Sequence, residues 1–258
     1  GVIFCALRYF NDQFGDEYRR LAEVHQFSKQ EEIFSYASLE VALAAASLRH
    51  DEGLPIVGFD LAGQEKGYPA SAHRRAYQAA HEAFLGKTVH AGEDYGPESI
   101  FQAIGDCHAD RIGHGTWLFD AAKVGPGVAD PKAYVDRLAQ FVADRRITIE
   151  VCLTSNQQTV PELADDLRSH PFKLMRERRL STTFCTDNRL VSSTTVTNEI
   201  LRAIDAFDLD PHEVRDLLIY GFKRSFFPGN YLEKRAYVRA VIDFADAQHA
   251  KFFPDSKS

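Results

Sequence analysis

The sequence predicts an α/β fold on a parallel sheet, of the (β/α)8 TIM-type barrel class, with about six of the eight strands present. Short apolar runs alternate with longer amphipathic ones along the whole chain, the pattern of repeated βα units. The 258 residues suit one barrel domain and exceed a usual two-layer domain. Polar clusters also recur just after successive apolar runs, where barrels and open α/β sheets bind their ligands.

Taken in order, the strands are expected at 2–9, 55–61, 87–91, 110–114, 147–153 and 181–186, each short, rich in Val, Ile, Phe or Thr and bounded by polar residues or Gly. The first begins at once after Gly1, with Val2-Ile3-Phe4-Cys5-Ala6-Leu7 already core-like. Helices fill the intervals. Residues 36–49 are rich in Ala and Leu, and 71–85 carry Ala72, Ala76, Ala79, Ala80 and Ala83 on one side with charges on the other. Asp130-Pro131 and Asp210-Pro211 each pair an N-cap with a first-turn proline, opening helices at 131–145 and beyond 211. The last helix, 230–250, is amphipathic. Six strands do not close an eight-stranded barrel, so two more are expected upstream of Gly1. An open, doubly wound six-stranded sheet has the same local pattern. The whole of 1–258 reads as one domain.

Charge narrows the function. Lys and Arg number 30 against 37 Asp and Glu, a net charge of −7, which disfavours a polyanionic nucleic acid as partner. No apolar run reaches the roughly 20 residues of a membrane span. Cys5, Cys107, Cys152 and Cys185 lie in apolar stretches without C-x-x-C spacing and read as buried thiols of a reducing compartment, so the expected location is cytoplasmic.

Five clusters carry candidate chemistry: Gly58-Phe59-Asp60-Leu61-Ala62-Gly63, His90-Ala91-Gly92-Glu93, Gly113-His114-Gly115, Glu150 through Asn156, and Thr186-Asp187-Asn188. Singly, each has a plain structural reading. A lone His at a strand end is usually a core residue, a Gly beside it a turn, Asp-Asn a helix cap and Glu93 a first-turn carboxylate. Together they supply histidines and carboxylates of metal-ligand or acid–base character at one end of the sheet.

His90-Ala91-Gly92-Glu93, Arg111-Ile112-Gly113-His114-Gly115, Ser155-Asn156 and Thr186-Asp187-Asn188 resemble the ordered motifs of the adenosine deaminase family. Gly58 to Gly63 match the strand before them, and Lys223-Arg224-Ser225-Phe226 a helix end after them. The resemblance implies a zinc-dependent hydrolase of the amidohydrolase superfamily that converts adenosine or 2'-deoxyadenosine to inosine and ammonia. His90 and Asp187 would be zinc ligands. Glu93 would deliver a proton to purine N1, and His114 would stand beside the attacking water. The backbone N–H of Gly63 would meet N3, and Asn188 would face N7. The implied partners are a small-molecule purine nucleoside and water; nothing bears on oligomeric state.

Two departures matter. The family carries a His-x-His pair on its first barrel strand, both metal-binding, and this sequence contains none. The two further His ligands are therefore expected in an upstream segment, and the chain alone is expected to bind zinc weakly and to be inactive. The second departure is Asn188, where many members have Asp. An amide donates to N7 without needing a proton. Signatures of the cytidine deaminase type (H-x-E with P-C-x-x-C) and of H-E-x-x-H proteases are absent. The remaining alternatives are a deaminase of adenine or AMP, for which Arg189 is a candidate phosphate contact, and a non-catalytic binding protein on a deaminase scaffold.

Overall fold

A computed structural model describes residues 1–11 and 13–253. Six strands, β1 (Val2–Leu7), β2 (Ile56–Ala62), β3 (Gly86–Ala91), β4 (Arg111–His114), β5 (Thr148–Val151) and β6 (Ser181–Phe184), form one parallel sheet in the order β1-β2-β3-β4-β5-β6. Each strand lies beside its neighbours in sequence, and the order never reverses. A doubly wound sheet must reverse at a switch point, so that alternative is set aside in favour of six consecutive strands of a (β/α)8 barrel. Among the described residues β1 and β6 each pair with one strand only, so both are sheet edges.

All six expected strands form; β1, β5 and β6 end before the expected 9, 153 and 186, and the other three end within one residue of expectation. The 147–153 run stops at Val151 because Leu153 opens a helix, α6 (Leu153–Thr159). The other helices are α1 (Asp16–Val24), α2 (Gln30–His50), α3 (Arg74–Glu82), α4 (Pro97–Gly105), α5 (Pro131–Asp144), α7 (Phe172–Glu177), α8 (Val196–Phe207), α9 (Pro211–Arg224) and α10 (Tyr231–Phe252). Helix α2 starts six residues before the expected 36, because Glu31 and Glu32 sit favourably at its positive N-terminal end. The 71–85 segment begins as a 3-10 turn over Ala70–His73 and becomes α-helical only from Arg74. Asp130 caps α5 through the Ala133 N–H at 2.9 Å, and Asp210 forms a capping box with Glu213 on α9.

The core follows from burial on both faces of the central strands. β2 is buried over its first six residues, as expected of a parallel strand covered by helices outside and side chains inside. Phe226, just beyond α9, occupies the space above Gly58 and Gly86: a Cβ at these glycines would lie 2.7 and 2.4 Å from its ring. The Arg111 guanidinium stacks on that ring at 4.0 Å and pairs with Glu150 at 2.5 Å. Phe226 thus plugs the N-terminal ends of the strands and leaves the opposite end to the polar clusters.

The cysteine expectation holds in part. Cys107 and Cys152 are buried, whereas Cys185 is half-buried and Cys5 exposed, the latter because β1 is an edge strand. All four are unpaired thiols. No helix among the described residues is long and apolar enough to cross a membrane.

Candidate active site

The parallel register decides which side chains meet. His90 on β3 is level with Gly113 on β4, so His114 stands one residue beyond it. A Cβ at Gly113 would come within 3.2 Å of the His90 backbone, so the missing side chain makes room for the His90 ring. The two imidazoles lie with centroids 5.2 Å apart. Asp187, beyond β6, brings its carboxylate to 3.9 Å from His90 Nε2. One ligand atom each from His90, His114 and Asp187 fall within 4.8 Å of one another. His114 and Asp187 both adopt left-handed backbone (φ 66° and 54°), sharp turns that aim strand-end side chains across the mouth.

Each of these side chains is held by a second one. Asp60 on β2 lies 3.2 Å from His90 Nδ1, leaving Nε2 for Asp187. Carboxylate–imidazole pairs of this kind orient metal-binding histidines. Ser155 Oγ donates to Asp187 at 2.6 Å. Burial alone opposes charge on His90, but Asp60 and Asp187 outweigh it and raise its pKa well above the ordinary value. The nearby His90 ring, with the hydrogen bond from Ser155, holds Asp187 below the usual carboxylate range against partial burial. His90, His114 and Asp187 thus form a candidate metal site.

Glu93 completes the cluster. Its Oε1 accepts from Thr159 Oγ1 at 2.8 Å, and its Oε2 lies 3.4 Å from His114 Nε2. It stands on a loop, since α4 begins only at Pro97. Buried Glu65 shapes that loop, accepting the N–H groups of Gly92 (2.9 Å), Glu93 (2.7 Å) and Asp94 (3.3 Å) and the Ser99 hydroxyl (2.5 Å). Arg8, fully buried after β1, donates to the carbonyls of His90 and Tyr68, both at 2.7 Å.

The adenosine deaminase family model matches residues 8–243. An adenosine deaminase of Mycobacteroides abscessus is 40% identical over 207 residues, which is 80% of this chain and 54% of that protein. The chain belongs to the adenosine deaminase family. It spans about half the length of the curated relatives it matches. Among solved structures, the Arabidopsis protein ADAL complexed with IMP is 26% identical with a TM-score of 0.66, covering 83% of this chain and 56% of that one. A zinc-bound amidohydrolase from Burkholderia ambifaria aligns at 18% identity with a TM-score of 0.69, covering 84% of this chain and 56% of that one.

Within this family member, His90, Glu93, His114 and Asp187 lie together. Gly63 follows β2 with φ 101° and is exposed. Asn188, also exposed, accepts the Val191 N–H on Oδ1 at 3.2 Å, so its NH2 is the end available to donate. Sequence reasoning placed Asp60 in a cluster without giving it a part, and it passed over Glu65, Arg8, Thr159, His170 and Glu199. Glu199 is a buried carboxylate that takes the Thr154 N–H at 3.0 Å and so anchors the start of α6. Their contacts with the site segments span 14 to 82 positions of sequence, and no local pattern marks them.

Proposed function

We propose that the chain carries the purine-facing part of a site that deaminates adenosine or 2'-deoxyadenosine to inosine and ammonia. The observation that carries this reading is the placement of Glu93 Oε2 3.4 Å from His114 Nε2, beside the His90–Asp187 pair. His90 and Asp187 are the residues to hold Zn²⁺. Their 3.9 Å separation brings both within reach of one ion. When bound, zinc lowers the pKa of water from about 15.7 to about 7 and so supplies a nucleophile at neutral pH. A catalytic zinc takes at least three protein ligands, so His90 and Asp187 would be part of a larger ligand set.

The residues of the chain do the rest. Glu93, steadied by Thr159, places a proton at purine N1, where charge collects as C6 is attacked. His114 hydrogen-bonds the attacking oxygen. The Gly63 N–H meets N3, and the Asn188 amide donates to N7. Supporting this last assignment, Oδ1 of Asn188 is already engaged by Val191. The N7 contact predicts discrimination against 7-deazaadenosine, whose carbon at that position accepts no hydrogen bond. An unpaired donor costs about 1–3 kcal/mol, so kcat/KM should fall roughly 5- to 150-fold. Equal values for the two nucleosides would remove Asn188 from this role.

A 6-aminopurine nucleotide such as AMP is the second reading, favoured by exposed Arg189 next to Asn188. The decisive assay follows the loss of adenosine absorbance with the full-length polypeptide containing this chain, with and without a chelator. Turnover of adenosine that stops on chelation and returns with zinc is expected, with AMP and adenine slower. Zinc-loaded protein that turns over none of the three would leave the binding-protein alternative standing.

A further inference from the structure

A line of buried groups ends at His114. The backbone N–H of Phe172, the first residue of α7, donates to His170 Nδ1 at 3.1 Å. His170 Nε2 lies 3.2 Å from Asn156 Oδ1, and Asn156 Nδ2 lies 3.0 Å from His114 Nδ1. His170, Asn156 and His114 are 1%, 0% and 1% exposed, so water does not compete for these contacts.

The direction of every bond follows from the first. A backbone N–H can only donate, so His170 Nδ1 is bare. Burial pushes the His170 pKa down to about 3, so the ring is neutral and carries its single hydrogen on Nε2. That N–H requires an acceptor, which fixes Asn156 with Oδ1 towards His170 and NH2 towards His114. Nδ1 of His114 must then accept. We propose that His170 and Asn156 are positioning residues that lock His114 as the tautomer with its hydrogen on Nε2, so that it presents a donor to the site.

The consequence rests on the deaminase reading of the pocket. A nitrogen that carries hydrogen has no lone pair for a metal. Although His114 lies within reach of His90 and Asp187, it serves as a hydrogen-bond donor beside the cation and not as its ligand. Its Nε2 steadies the attacking oxygen and, in this tautomer, is not the atom that takes a proton from it.

The test needs no turnover. In protein labelled with ¹⁵N-histidine, long-range ¹H–¹⁵N correlation separates hydrogen-bearing from bare ring nitrogens. His114 should show hydrogen on Nε2 alone. Asn156→Asp should invert it, because a carboxylate accepts from both rings and draws the hydrogen to Nδ1. His170→Gln, which keeps an acceptor for Phe172 and a donor for Asn156, should leave the wild-type pattern. Hydrogen on Nδ1, or a mixture, in wild-type protein overturns the proposal even if no variant folds. An Asn156→Asp spectrum identical to wild type does the same. Failure to deaminate adenosine with the Nε2 signature intact would instead remove the deaminase reading and leave the lock standing.

Discussion

Replacing Glu93 with Gln should lower the turnover of adenosine about 10²- to 10⁴-fold in the zinc-loaded, full-length enzyme, while metal content stays unchanged. The effect corresponds to roughly 3–5 kcal/mol of transition-state stabilisation. Gln has nearly the same shape and keeps an oxygen to accept from Thr159, so the loop cradled by Glu65 stays in place. What is lost is the acidic proton, and with it the means to neutralise charge at N1 as C6 becomes tetrahedral. Glu93 does not ligate the cation in the proposed site, so zinc analysis separates a lost acid from a lost metal. A decrease of less than about tenfold would take Glu93 out of the acid role.

Acid should unfold the chain through two buried histidines. Burial, with the nearby Arg8 charge adding to it, pushes His73 down to about 4, and burial pushes His170 down to about 3. Both rings are neutral in the fold and return to an ordinary pKa of about 6.5 on unfolding. The unfolded chain therefore binds two more protons below pH 6.5. Stability is full above that pH and is lost as pH falls towards the folded-state values, by about 1.4 kcal/mol per pH unit for each ring.

Between pH 6.5 and 4.5 the pair accounts for roughly 4 kcal/mol, a large share of a typical 5–15 kcal/mol. Other shifted groups near the site leave this window clean. His90, whose pKa is raised, is protonated in both states there, and its contribution is lost only above 6.5. Asp60 and Asp187, whose pKa values are lowered, contribute a loss only as pH falls through the carboxylate range. Urea titrations at half-unit pH steps would show the slope, and His73→Gln should roughly halve it. Flat stability from pH 6.5 to 4.5 would show that these rings do not stay neutral in the fold.

The strands and their direction were legible in the sequence because a parallel strand buried on both faces must be a short continuous apolar run, and six such runs stand in chain order. Helix starts were legible where a cap marks them, as at Asp130 and Asp210, and obscure where only charge does, as at Gln30. His90, Glu93, His114 and Asp187 were legible because a strand end is a fixed place in an α/β fold, and polar residues there are conspicuous after apolar ones.

Tertiary structure alone decided the rest. Sequential strand order chose a barrel over a doubly wound sheet, which share every local feature. It also gave parts to Asp60, Glu65, Arg8 and His170. Each looks like an ordinary charged or polar residue in sequence. In the fold, each is buried, and a buried polar group must find a partner. The partners available lie at the mouth of the sheet: His90 for Asp60, the Glu93 loop for Glu65, the His90 carbonyl for Arg8, and Asn156, which leads to His114, for His170. Local pattern thus named the groups that gather at the strand ends, while the need to satisfy buried polar atoms, visible only in the folded chain, determined how those groups are aimed.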